Sequence, residues 1–159
     1  MPRLTDNSVS PPFTVWESGA ILQYLVDRYD TAHKVSFEKF EEKVLANQYL
    51  MFQMSGQGPY FGQAMWFTHF HGEKIPSAIA RYTNEVRRVL GVLDVILKDK
   101  EYLVGGRVSY ADLSFISWIW LLESLPELNG WEQEYSQVGA WIARTGERGS
   151  VKGAYQQRK

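Results

Sequence analysis

From Ser36 onward the apolar positions of the chain recur at helical spacing, and no stretch there alternates as a strand would. Phe37, Phe40, Val44, Leu45, Tyr49 and Phe52 predict a first long helix. Gly56, Gly58 and Pro59 interrupt it before a second aromatic stretch that reaches Phe70, so a break or kink is expected there. Pro76 and Ser77 open another helix, on which Ile79, Tyr82, Val86, Val89, Leu90, Leu93, Ile96 and Leu97 form an apolar stripe. Arg81 and Glu85 stand four apart on its polar side, a pairing worth a few tenths of a kcal/mol when exposed. Shorter helices are predicted over 135–144 and 150–156. Ahead of all these, residues 3–6 and 13–16 read as short extended segments joined by Asn7-Ser8-Val9-Ser10-Pro11-Pro12. That pattern predicts a hairpin leading into a helix capped by Ser18 and continued by Ala20, Ile21, Tyr24 and Leu25.

The strongest local signal is Gly105-Gly106-Arg107-Val108-Ser109-Tyr110-Ala111-Asp112-Leu113. Ser109 as N-cap and Asp112 three residues on can satisfy each other's backbone donors, while Val108 and Leu113 are spaced as a hydrophobic staple. The run that follows to Leu122 is apolar almost all round, which places it at the centre of a helical bundle.

Composition narrows the function classes. The 159 residues suffice for one main domain, with 17 basic residues against 18 acidic, so no global field favours nucleic acid or an anionic membrane. The longest apolar run is ten residues, too short to span a bilayer. Cysteine is absent, which excludes disulfides, zinc thiolates and a cysteine nucleophile from this chain and agrees with a reducing compartment. A soluble cytoplasmic protein is the expectation. His69 and His71 are two apart and face different sides of a helix, so no metal pair is expected. Gly56-Gln57-Gly58 follows no strand and is no nucleotide fingerprint.

Candidate chemistry concentrates at Glu17-Ser18-Gly19-Ala20-Ile21. An acid and a hydroxyl at a helix start, beside free backbone N–H groups and the positive end of the dipole, can hold a carboxylate. A simple cap is the commoner reading of such a turn. This turn resembles the segment with which glutathione S-transferases grip the γ-glutamyl end of glutathione. The Ser109 to Leu113 cap is similar to the folding motif of that family's helical C-terminal domain. The stretches Phe52 to Ala64, His69-Phe70-His71 and Arg81 to Val89 look most like the fungal and bacterial nu-type branch, which includes the yeast nitrogen-repression prion protein.

The resemblance covers nearly the whole chain and implies a mainly α fold. Residues 1–30 would be the remnant of a thioredoxin-like domain, a β-hairpin and helix, and 31–159 the helical C-terminal domain. Glutathione is the implied ligand, held by Glu17 and Ser18. Met1 would sit near the cysteinyl backbone, and Arg81 would contact the tripeptide, in competition with its Glu85 ion pair. Tyr60, Trp66, Phe67, Trp118 and Trp120 are candidates for an apolar pocket wall, although aromatic residues at helical spacing are more often core. The thiol-activating residue belongs to a β-α-β unit that would precede Met1, so no catalytic residue is assigned and feeble conjugation is expected. Met1 could mark an internal start, a truncated gene model or a shortened paralogue. Without that unit a strand edge and an apolar surface lie open, which implies a homodimer or larger species. The main functional reading is glutathione conjugation or disulfide reduction; the alternative is a non-catalytic regulator or interaction module on the same fold.

Overall fold

The computed structural model describes residues 2–157. Strands β1 (Arg3–Asp6) and β2 (Phe13–Trp16) form an antiparallel hairpin in which Arg3 pairs with Trp16 and Asp6 with Phe13. Asp6 then ties the hairpin to helix α1 (Ser18–Tyr29). Its carboxylate accepts the Ser8 backbone N–H at 2.8 Å, the Ser8 hydroxyl at 2.7 Å, the Tyr24 hydroxyl at 2.6 Å and the Tyr29 hydroxyl. The Tyr24 bond, then those of Tyr29 and Ser8, hold the Asp6 carboxyl well below the usual carboxylate range. The same bond pushes the Tyr24 hydroxyl up to about 12.

A depressed folded-state pKa stabilises the fold above the ordinary aspartate value of 3.8, and that contribution is lost as pH falls below it. Asp6→Asn is therefore expected to lower the thermal midpoint near neutral pH. Its deficit against the parent should shrink steadily on acidification below about pH 4. A deficit independent of pH would remove Asp6 as the acid-sensitive tie.

The connection from α1 into the helical bundle is pinned from both sides. Asp30 accepts the N–H groups of Lys34, Val35 and Ser36 at 2.8, 2.9 and 2.8 Å. From the bundle, Arg107 donates to the carbonyls of Lys34 and Ser36, and its guanidinium lies 4.6 Å from the centre of the Phe37 ring.

Helix α2 (Phe40–Phe52) buries Ala46, Tyr49 and Leu50 and runs into a π-turn over Gln53–Gln57. The expected break or kink takes the form of a π-turn that interrupts the α-helical ladder: α3 (Gly58–Met65) follows it at once, and a second π-turn, Trp66–Phe70, ends the run. The reason lies in the hydrogen-bond ladder. The Gly58 N–H reaches back five residues to the Gln53 carbonyl, so the donor that Pro59 lacks falls where the ladder is already offset. A Cβ at Gly56 would meet the Phe52 ring at 2.9 Å, so a larger residue there requires that ring to move.

Helix α4 (Pro76–Leu97) starts with Pro76 in its first turn and buries Val86, Val89, Leu90, Leu93 and Leu97, most of the expected stripe. Helix α5 (Tyr110–Ile119) packs against α1, α2 and α7 (Ser136–Gly146), and 3-10 turns at Trp120–Ser124 and Pro126–Leu128 extend it. The short α6 (Trp131–Glu134), which the spacing does not predict, precedes α7, and α8 (Gly149–Gln156) follows it. The fold is mainly α, and no helix among the described residues is long and apolar enough to cross a membrane.

The Ser109–Asp112 capping box at the start of α5 is closed. Asp112 is fully buried and does more than cap. Oδ2 accepts the Ser109 N–H at 2.8 Å and its hydroxyl at 2.7 Å, while Oδ1 accepts the Leu103 N–H at 3.0 Å and the Trp141 indole N–H at 2.9 Å. Val108 is buried but stands outside the main core cluster, against which Leu113 packs half-buried. Nor is α5 buried all round. Leu113, Ser114 and Trp118 are half-buried and Ser117 is exposed, because one face of the helix looks onto an open cleft.

Candidate functional site

The site is built where β2 hands the chain to α1. Glu17 makes that turn at φ 72°, ψ 122°, a left-handed conformation that costs a non-glycine residue about 1–3 kcal/mol. Helical dihedrals then begin at Ser18. The N-cap position therefore belongs to Glu17 and not to Ser18, and no side chain caps the helix. The Ile21 N–H is the first to be bonded within the turn, to the Glu17 carbonyl at 2.9 Å. Among the described residues, the N–H groups of Ser18, Gly19 and Ala20 have no acceptor. The exposed Ser18 hydroxyl donates to the thioether of Met54, 3.5 Å away.

This helix start opens on a cleft of about 370 Å³ between α1, the first π-turn and α5, with Pro2 at its edge. Ser18, Gln53, Ser114 and Ser117 are its polar side, and Ile21, Leu22, Leu113 and Trp118 its apolar side. Buried Gln53 donates to the Gln57 side-chain oxygen at 3.3 Å, and Gln57 donates to the Phe115 carbonyl at 3.2 Å, locking the π-turn onto α5. Trp118 lies across Gly58 and Gly62, whose lack of side chains leaves room for its indole. Sequence reasoning did not single out Gln53, Met54 or Ser117. The signal was slight, two glutamines four apart beside glycines, since a π-turn has no marker comparable to a cap.

The expected aromatic wall does not assemble as one surface. Trp118 lines the cleft, but Trp120 packs on Tyr155 at 4.6 Å between ring centres and lines a different cleft, with Glu123 and Trp131. Two residues apart on a helix means about 200° of rotation, which separates the pair. Phe67 stacks on Tyr82 at 5.4 Å and 11°, and exposed Trp66 neighbours Phe70 at 6.2 Å. Tyr60 is half-buried on α3 and outside the cleft lining. Arg81 is exposed on α4 and likewise outside it. The Arg81–Glu85 pair is not formed, because Glu85 accepts from Arg88 Nε at 2.8 Å instead. Met1 lies outside the described residues. His69 hydrogen-bonds the Ser124 carbonyl at 2.7 Å, and His71 packs on Phe67.

A helical bundle around a capped central helix is preceded here by a hairpin and a helix whose bare N-terminus faces the bundle. Residues 76–144 match the family model for the glutathione S-transferase C-terminal domain. Glutathione S-transferase 2 of Schizosaccharomyces pombe is 44% identical, the match covering 99% of this chain and 73% of that protein. The transcriptional regulator URE2 of Saccharomyces cerevisiae is 33% identical over 74% of this chain and 43% of its own length. Among solved structures, the glutathione transferase URE2P6 from Phanerochaete chrysosporium, in complex with oxidised glutathione, superposes with a TM-score of 0.94 at 44% identity. That match covers 99% of this chain and 72% of the other. The chain belongs to the glutathione S-transferase family.

Proposed function

We propose that this chain binds glutathione at the start of α1 and serves glutathione-dependent transfer or disulfide reduction. The observation that carries this is the uncapped helix start at Glu17-Ser18 facing a half-apolar cleft. The ligand's γ-glutamyl carboxylate takes the free N–H groups and the Ser18 hydroxyl, where the helix dipole favours negative charge. Glu17 is the acid available to its ammonium group. Ile21, Leu22, Leu113 and Trp118 then receive an apolar group joined to the sulfur. None of these residues is proposed to activate the thiol. The solved relative with oxidised glutathione supports the ligand class.

Self-association belongs to the same reading. Its support is a sheet of two strands, β1 and β2, beside exposed Phe13 and Trp16, and exposed Phe40, Val44 and Met51 along α2. Arg81 contributes to a glutathione site only if a second copy brings it there. Sedimentation of the purified chain is expected to show a dimer or larger species, and a monomer at every concentration would overturn this.

Calorimetric titration with reduced and oxidised glutathione tests the site. Saturable binding is expected, weakened about fivefold by Ser18→Ala, the equivalent of one hydrogen bond worth about 1 kcal/mol. A folded chain that binds neither form refutes the proposal.

A further inference from the structure

The resting partner of the Ser18 hydroxyl is a thioether. Met54 sits on the first π-turn, half-buried, with its sulfur 3.5 Å from Ser18 Oγ. It reaches that far because Gly19 has no side chain: a Cβ there would stand 3.1 Å from Met54 Cγ and 3.2 Å from its sulfur. A thioether is a weak acceptor, so the hydroxyl leaves it at little cost when a carboxylate arrives. An acceptor of ordinary strength at the same place would compete with the ligand.

We propose that Met54 is an oxidation site that sets the affinity of the glutathione corner, an inference that rests on the function proposed above. A sulfur lone pair attacks the O–O bond of a peroxide. Sulfur loses two electrons and gains one oxygen, while the other peroxide oxygen takes up a proton and leaves as water or an alcohol. The sulfoxide epimer whose oxygen faces Ser18 is a strong acceptor, and it holds the hydroxyl in place. The ligand carboxylate then loses one donor, and the added bulk presses on Gly19 at the head of the helix. The change is reversible, since sulfoxide reductases restore the thioether. An oxidant would thus loosen glutathione at this corner, and its removal would restore the hold.

The test combines peptide mass spectrometry with calorimetric titration by reduced glutathione, before and after graded hydrogen peroxide. Met51 on α2, 49% exposed, and Met65, whose sulfur accepts from Ser124 Oγ at 3.3 Å, serve as internal references for reactivity. Oxidation of Met54 is expected to weaken binding about three- to tenfold, the range of one ordinary hydrogen bond, and treatment with methionine sulfoxide reductases to restore it. Met54→Leu, which frees the hydroxyl, is expected to bind up to about threefold more tightly. It should also lose most of the peroxide response.

Met54 oxidised with affinity unchanged would overturn the proposal. So would Met54 left intact while Met51 is fully oxidised, or an equal loss of affinity in Met54→Leu. Untreated chain that binds no glutathione would instead overturn the functional reading, and this inference with it.

Discussion

Asp112→Ala is expected to lower the thermal unfolding midpoint by about 10 °C or more, a larger change in stability than removal of Asp6 or Glu17 should bring. Four donors lose their acceptor together: the N–H groups of Leu103 and Ser109, the Ser109 hydroxyl and the indole N–H of Trp141. Asp112, Ser109 and Trp141 are all fully buried, so water does not readily replace the carboxylate. Each buried donor left unpaired costs about 1–3 kcal/mol, which gives roughly 4 kcal/mol in all after some relaxation. At about 2–4 °C per kcal/mol for a chain of this size, that yields the expected shift.

Asp112→Asn separates the components. Its amide oxygen can still serve Leu103 and Trp141, and its NH2 can donate to Ser109 Oγ, leaving the Ser109 N–H unpaired. A loss near half that of alanine is therefore expected. Thermal melts followed by near-ultraviolet circular dichroism, which reports the packing of Trp141 against Phe115, give the order parent, Asn, Ala. An alanine variant within 2 °C or so of the parent would show that Asp112 does not organise the core.

Glu17→Gly is expected to move stability and binding in opposite directions. Glycine occupies φ 72° without the steric cost that glutamate bears, so the fold should gain about 1 kcal/mol, a rise of roughly 2–4 °C. The same change removes the acid that the proposed binding mode offers to the ammonium group of glutathione. A charge-assisted contact is worth about 1.5–3 kcal/mol, so affinity should fall about tenfold or more. Glu17→Ala, which keeps the strain and loses the acid, should bind as weakly without the gain in stability. Melting curves and titrations of the two variants decide the matter. Unchanged affinity in both would remove Glu17 from the site, and a Glu17→Gly variant no more stable than Glu17→Ala would remove the strain.

Strain at Glu17 and a bare helix start share a rationale if the proposed site is correct. On the proposed binding mode, the chain forgoes the cap that Ser18 would supply in a relaxed turn so that its N–H groups stay open for a ligand.

What could be read from the sequence was whatever is encoded within a few residues. The hairpin segments coincide with β1 and β2, Pro76 opens α4, and the Ser109-x-x-Asp112 spacing marks the start of α5. In each case the determinant is local: a period, a missing N–H, or a side chain that reaches three residues along its own backbone. The resemblance carried by Glu17-Ser18-Gly19 likewise rests on a short local segment, the turn from β2 into α1.

Tertiary structure decided the remainder. That the ladder absorbs Gly58 and Pro59 through a π-turn depends on how α2 and α3 pack against α5 and α4, which no local preference registers. That Trp118 and Trp120 serve different clefts follows from the rotation of α5, and that Glu85 takes Arg88 over Arg81 from side-chain geometry on one helix face. Asp112 accepting from Leu103 and Trp141, and Met54 meeting Ser18 past the bare Gly19, join residues 9 to 36 positions apart. A spacing within one element fixes that element, whereas a cleft or a shared carboxylate exists only once distant elements have packed.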